Sequence, residues 1–314
     1  MTAGRHIAHG INYVQHTEID FTRWDDRVRH SLSPLIYGHS WYLDRMAANQ
    51  WDALVLGDYK AVMPLTWRSK FGIAYLYQPA FTQQTGIFSA EPVTPDIVDA
   101  FLRQLDRHFR FAEICLNYSN AHPALSPRVN FTLPLSPPYQ QLAGQYKKDL
   151  VRNLKAAART KLIYEKDYPL ETALGDFRQQ YAGRLPAITK EDYVHFRQLC
   201  LYLRQQGQLL IRAVLDEQRQ ALGSAIFLRD IHRFYLIHST TLPAGRTTEA
   251  NHFLLDQFIR EFAGTPTTLD FEGSDHPGIA HFYANFGSTD QPYYFCRRNR
   301  LPWPIRWLKT SQPE

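Results

Sequence analysis

Apolar residues recur at helical spacing along some stretches of this 314-residue chain and alternate with polar ones along others, so helices and strands are both predicted. Trp24, Val28 and Leu32 lie one helical turn apart, and Ser40 caps a second helix through Leu43 and Met46. Residues 53–68, ALVLGDYKAVMPLTWR, set a Gly57-Asp58 turn between two apolar runs, which predicts a hairpin. Residues 73–89, rich in aromatic and β-branched side chains, continue the strand pattern. Pro95 then opens a helix with Ile97, Val98, Phe101, Leu102, Leu105 and Phe109 on one stripe, and residues 111–119 close the set as a strand.

Residues 120–144 carry Pro123, Pro127, Pro134, Pro137 and Pro138, a density that disfavours helix and central strand, although residues 131–135 suit a short edge strand. Beyond this connector the order repeats. Residues 146–161 predict a helix with Leu150, Leu154 and Ala158 on one face and six lysines and arginines around the rest; a second helix is expected near 193–205. Three strands at 209–217, 221–230 and 233–241, joined by short polar turns, predict an antiparallel meander. The linker LPAGRTTEA leads to a helix over 251–263, then a strand TTLDF, a turn, a short helix after Pro277 and a last strand PYYFCRR. The fold class expected is α+β, with two domains of similar plan at residues 1–135 and 136–314, each a mixed, mostly antiparallel sheet flanked by helices.

Charge and composition narrow the function only slightly. A formal charge of +5 favours an anionic partner but is mild over 314 residues. The three cysteines, Cys115, Cys200 and Cys296, are far apart, which suggests neither a zinc site nor a disulfide framework, and no metal ligand set is evident. The N-terminal residues lack a signal-peptide core and no window approaches 18 apolar residues, so a cytoplasmic protein is expected. The tail from Cys296 to Lys309 interleaves Trp303, Ile305, Trp307 and Leu308 with arginines; it reads either as a segment folded on the body or as a weak membrane-surface contact.

The stretch TTLDFEGSDHPGIAHFYANFG holds the candidate chemistry. Alternation places Asp270 and Glu272 on the face opposite Leu269 and Phe271, where one carboxylate can act as a general base or pair with an arginine. Gly273 and Ser274 permit a tight turn, and Tyr283 on the next helix can donate a proton or merely pack. His238, Ser239 and Thr240 mark a strand end expected to open, with His238 a candidate catalytic residue and Ser239 and Thr240 candidate cofactor contacts. Arg246 and Thr247, with Asn251 at the start of the long helix, are candidates to hold phosphate oxygens, although no P-loop or dinucleotide fingerprint is present. Arg152 and Lys155 of the basic helix, and Gln83 and Gln84 of the segment FTQQTGIFS, are candidate substrate contacts; a solvated face and turn residues are the competing readings.

Arg152-Asn153 with Ala156-Ala157, Ala250-Asn251, Asp270-Phe271 with Gly273, and Phe282 with Phe286-Gly287 together resemble motifs of the Fem-like peptidyltransferase and BioF2-like acetyltransferase branch of the GNAT superfamily. The resemblance implies two GNAT-like domains in tandem and transfer of an acyl or aminoacyl group to an amine or peptide acceptor, with acyl-CoA as the expected donor. The phosphate loop departs from the family pattern, because Glu249 follows Arg246 where glycine is expected. The long charged helical hairpin of the larger tRNA-using members is also missing, which makes aminoacyl-tRNA the less natural donor. Alternatives are a degenerate GNAT-fold protein that binds a ligand or partner, and a Fem-type enzyme acting on a lipid-linked precursor.

Overall fold

The computed structural model describes residues 10–184, 187–273, 275–303 and 306. The expected Ser274, Ile305, Trp307 and Leu308 lie outside them. The chain forms two compact units: residues up to Arg128 together with those from Pro292 onward, and Val129–Gln291.

The first unit begins with β1 (Ile11–Val14) and α1 (Phe21–Arg29), whose N-cap Asp20 accepts the N–H groups of Thr22 and Arg23. Trp24 and Val28 are fully buried, as their spacing predicts, but the helix ends at Arg29 and leaves Leu32 52% exposed, off the stripe. α2 (Ser40–Met46) leads to β2 (Trp51–Leu56), β3 (Ala61–Lys70), β4 (Ile73–Tyr77) and β5 (Phe88–Ser89). α3 (Pro95–His108) buries Val98, Phe101, Leu102 and Leu105, and β6 (Phe111–Leu116) and β7 (Ser126–Arg128) follow.

In the second unit the order is β8 (Phe131–Pro134), α4 (Tyr139–Ala143), α5 (Lys148–Ala157), β9 (Ile163–Glu165), α6 (Leu170–Tyr181) and α7 (Lys190–Gln205). α7 starts with a reciprocal capping box between Thr189 and Asp192, a motif that stabilises a helix start by ~1 kcal/mol. The expected meander is β10 (Leu209–Leu215), β11 (Ala221–Arg229) and β12 (Arg233–Thr241), antiparallel throughout. The linker after it holds a short helix α8 (Pro243–Thr247) before α9 (Ala250–Phe262); β13 (Thr268–Asp270), α10 (Pro277–Ala284) and β14 (Thr289–Asp290) complete the unit. The last strand, β15 (Tyr293–Asn299), belongs to the first sheet.

The first sheet runs β1-β2-β3-β4-β6-β15-β7 with β5 on β3, and the second runs β14-β8-β13-β12-β11-β10-β9. Each has one parallel pair, β4 with β6 and β12 with β13; the other pairings are antiparallel. The architecture is thus the expected α+β pair of mixed sheets. The boundary expected at 135/136 is corrected, because β8 pairs with β13 of the second sheet while β15 inserts between β6 and β7 of the first. Alternation in PYYFCRR predicted a strand but carries no information about which sheet takes it. Arg128 faces Tyr293 across the β7–β15 ladder, and Gln291 donates its N–H to the Asn130 carbonyl at 2.8 Å. The second unit therefore interrupts the chain at the tip of a two-stranded ladder.

α9 lines the second core with Leu254, Leu255, Phe258 and Ile259. Phe258 stacks on Phe227 of β11 at 3.7 Å between ring centroids, holding the helix across the sheet. α8 lies so close to β11 that a Cβ on Gly245 would sit 2.0 Å from the Leu222 carbonyl oxygen. Glycine is therefore required there by space, and its position fixes how the chain enters α9.

Candidate active site

Strands β12 and β13 pair in parallel only from Arg233 with Thr268 to Tyr235 with Asp270. β12 continues to Thr241 along β11, and among the described residues no strand pairs with the other side of its far half. The register against β11 shifts between Ile226 and Phe227, which face His238 and Leu236; Ile237 is the extra residue of a bulge. A bulge re-aims the strand it interrupts, and the two strands part just beyond it.

β13 stops at Asp270, and Glu272 then adopts a left-handed backbone, φ +54°. Such a conformation in a non-glycine residue costs of order 1 kcal/mol and clusters at functional sites. The turn is held from both sides. Glu272 donates its N–H to Asp270 Oδ1 at 3.0 Å, and Gly273 donates its own to Asn130 Oδ1 at 2.8 Å. A Cβ on Gly273 would come within 2.5 Å of the Asn130 Cα, so the close approach demands glycine.

These contacts correct the expected role of Asp270. Its side chain is fully buried and paired with the Arg233 guanidinium, which also reaches Gln291 Oε1 at 3.0 Å. A carboxylate so committed holds the strand end together and is not placed to take a proton from a substrate. Glu272, half-buried two residues beyond the strand, has left the alternation that was expected to align it with Asp270.

Tyr283 of α10 is buried against Phe271, 5.0 Å between rings. Burial pushes its phenol well above the ordinary tyrosine range, and the nearby Glu272 and Tyr181 raise it further. The phenol therefore stays protonated, with the Glu272 carboxylate near enough to add to the rise. Tyr181 ends α6, a helix absent from the sequence-based expectation although Leu170, Ala173, Leu174 and Phe177 bury one face of it.

His238 is corrected as well. It lies under Phe177, stacked at 3.8 Å, and edge-on to Phe196 at 4.9 Å, so it is core between the sheet and helices α6 and α7. Burial pushes its pKa down to about 3, and the ring stays neutral. Ser239, the next residue, faces the other way and donates its hydroxyl to Asn251 Oδ1 at 2.8 Å. Thr240 is buried again, so the trio does not form one cluster.

At the start of α9, Glu249 has φ +57°, the backbone that a glycine in that loop position would supply. Glu249 thus holds a left-handed backbone without being glycine. Its carboxylate is 2.9 Å from His252 Nδ1, and His252 Nε2 is 3.1 Å from the Asn153 side-chain nitrogen of α5. Donation from Asn153 to Nε2 and from Nδ1–H to Glu249 suits a neutral imidazole, and burial lowers its pKa. His252 was not among the expected residues, nor was the role of Asn153, whose neighbours Arg152 and Lys155 are exposed. Arg152 pairs with Asp149 at 3.2 Å, 74% exposed. The ring of Phe282 packs edge-on to His252 at 4.8 Å, so adjacent residues Phe282 and Tyr283 bring the α9 start and the Glu272 turn onto one helix.

Arg246 and Thr247 are exposed on α8, and Thr247 donates its hydroxyl to the Ala244 carbonyl at 3.0 Å. Gln84 is fully buried in the first unit, where it accepts the Tyr118 N–H at 3.2 Å and donates to Gln83 Oε1 at 2.7 Å; this buries the side chain expected to contact substrate. Among the described residues there is no cluster of three or more potential metal-ligating side chains, and no helix is long and apolar enough to cross a membrane.

No family profile and no curated protein matches the sequence. Solved structures do resemble the fold. FemX is 11% identical with a TM-score of 0.62, covering 95% of this chain and 99% of its own. A tandem GNAT protein from the clavulanic acid biosynthesis pathway is 11% identical with a TM-score of 0.50, covering 93% and 99%. A conserved protein of unknown function from Bacteroides thetaiotaomicron is 10% identical with a TM-score of 0.53, covering 92% and 100%. This chain accordingly shares the Fem-like, tandem-GNAT fold of these structures.

Proposed function

We propose that the protein transfers an acyl or aminoacyl group to an amine in the opening where β12 and β13 part. The observation that carries this reading is the left-handed Glu272 beside the buried, protonated Tyr283, at the end of a strand pair that separates. The amine nitrogen attacks the donor carbonyl carbon, and the part of β12 beyond its pairing with β13 offers backbone N–H groups to the oxygen that becomes negative. Glu272 accepts the amine proton, directly or through water, as the carbon–nitrogen bond forms. The bond to the leaving group breaks as Tyr283 protonates it, and the Glu272 proton restores the phenol, leaving an amide and the free thiol or alcohol.

For the donor, acyl-CoA is the reading in which Arg246, Thr247 and the amino end of α9 hold the diphosphate, with Ser239 and Asn251 beside the thioester arm. The retained left-handed backbone at Glu249 supports it. The carboxylate that Glu249 brings to the same place favours a second reading, a protein of this fold that binds a ligand without CoA.

Two measurements separate these. Glu272→Gln should lower turnover ~100-fold while the fold is retained; an unchanged rate removes Glu272 as the base. In a thermal-shift screen with acetyl-CoA, longer acyl-CoAs and aminoacyl ester analogues, stabilisation by a CoA that disappears on replacing Arg246 and Thr247 supports the transferase. Silence across that panel favours the binding protein.

A further inference from the structure

The two most exposed large apolar side chains among the described residues are Phe71, 92% exposed, and Trp303, 79% exposed. They are distant in sequence, yet the sheet register puts them at one end of the first sheet. β4 runs parallel to β6, with Leu76 opposite Ala112, so the start of β4 and the start of β6 share an edge. β15 runs antiparallel to β6, with Asn299 opposite Phe111, so its end arrives at the same edge. Tyr75 and Phe111 touch there, ring against ring. The β3–β4 turn projects past that line, since Lys70 pairs with Ile73 across Phe71-Gly72. On the other side the chain leaves β15 through Arg300, whose N–H bonds the Arg110 carbonyl at 2.7 Å, and reaches Trp303.

The turn itself is an anomaly. Phe71 and Gly72 have φ +53° and +74°, a two-residue hairpin turn of the kind that favours Asn-Gly. A phenylalanine in the left-handed region is strained, and here it gains no burial in return. Packing within the chain does not explain why an aromatic ring stands at that position.

The exposed charges around the two rings are mostly positive. Lys70, Arg110 and Arg306 are exposed along this edge, beside Arg300, which pairs with Asp106, and the Lys70 ammonium lies 5.6 Å from the Phe71 ring centroid. The carboxylates nearby are already bound: Asp106 by Arg298 and Arg300, and Glu113 by Arg297. Aromatic tips set among cations fit a bilayer interface that carries anionic headgroups, where the rings enter the acyl boundary and the cations meet the phosphates.

We infer that this edge of the first sheet, with Phe71 and Trp303 as its two anchors, docks the protein on anionic membrane surfaces. The inference is independent of the transfer reaction and extends a membrane contact beyond the tail to a hairpin. Flotation of the full chain with vesicles of phosphatidylcholine alone, or mixed with phosphatidylglycerol, tests it. The protein should float with the anionic vesicles, less at high salt, and not with the neutral ones. Phe71→Asn gives the turn its favoured residue, so it should raise the melting temperature while lowering vesicle partition about tenfold; Trp303→Ser should lower partition similarly. No flotation with anionic vesicles, equal flotation with neutral ones, or an unaltered partition for Phe71→Asn each overturns the inference.

Discussion

Replacing Asp270 by asparagine keeps the shape of the side chain and removes its charge, which isolates what the buried pair with Arg233 contributes. Asp270 is fully buried and the Arg233 side chain is 10% exposed, so the neutral variant leaves a guanidinium in the interior with its ion-pair partner gone. Removing one member of such a pair costs about 3–5 kcal/mol, because the remaining charge stays desolvated. With a guanidinium-chloride slope of about 4 kcal/mol per molar, the unfolding midpoint of the second unit should fall by about 1 M. The same variant also loses a charged acceptor for the Glu272 N–H, so the left-handed turn is held less firmly. A companion variant, Asp270→Leu with Arg233→Met, removes both charges and should recover most of the loss, since apolar replacement of a whole buried pair is near neutral. The assay is equilibrium denaturation followed by fluorescence. An Asp270→Asn midpoint equal to that of the parent would refute the assignment of Asp270 to structure and return it to the list of candidate bases.

Other outcomes follow from the same geometry. Gly245→Ala would bring a methyl group within 2.0 Å of the Leu222 carbonyl oxygen. It should destabilise the second unit by about 2–3 kcal/mol, read as a lower melting temperature; a tolerated alanine means α8 does not sit where described. His238 has a native pKa pushed down to about 3 against ~6.5 in the unfolded chain, so below pH 6.5 the unfolded state binds a proton that the native state refuses. Stability should therefore fall by about 2 kcal/mol more between pH 7 and pH 5 in the parent than in His238→Leu; parallel urea midpoints for the two proteins contradict a neutral buried ring. Glu249→Gly keeps the left-handed backbone at φ +57° and deletes the carboxylate beside the α9 start. Apparent CoA affinity should rise about tenfold in a ligand-dependent melting shift, and no change means the carboxylate does not oppose a diphosphate there.

The sequence was most informative where structure is local. Helix α3 follows from Pro95 and its apolar stripe, and the meander β10–β12 from alternation between polar turns, because each pattern is set within a few residues. Alternation failed at Glu272 for a definite reason: β13 ends two residues earlier, and a left-handed residue does not obey the period of a strand. His238, Ser239 and Thr240 were grouped by adjacency, whereas a period of two sends neighbours to opposite faces, and the bulge at Ile237 is invisible without the partner strand. The pair His252 and Asn153 comes from helices far apart in sequence, so no spacing could announce it. Helix α6 did carry a readable signal in Leu170, Ala173, Leu174 and Phe177, masked by Pro169 before it and Gly175 within it. The sheet to which β15 belongs is a non-local choice that its own residues do not encode.

The place where the second unit enters the chain governs the order of assembly. β15 is an inner strand, flanked by β6 and β7, and it follows all of Val129–Gln291 in the sequence. The first sheet cannot place β15 against β6 until the chain has passed through the whole second unit, while every strand of the second sheet lies between Asn130 and Gln291, whose backbones meet. A chain cut just short of Tyr293 would keep every strand of the second sheet and leave the first with an open seam between β6 and β7.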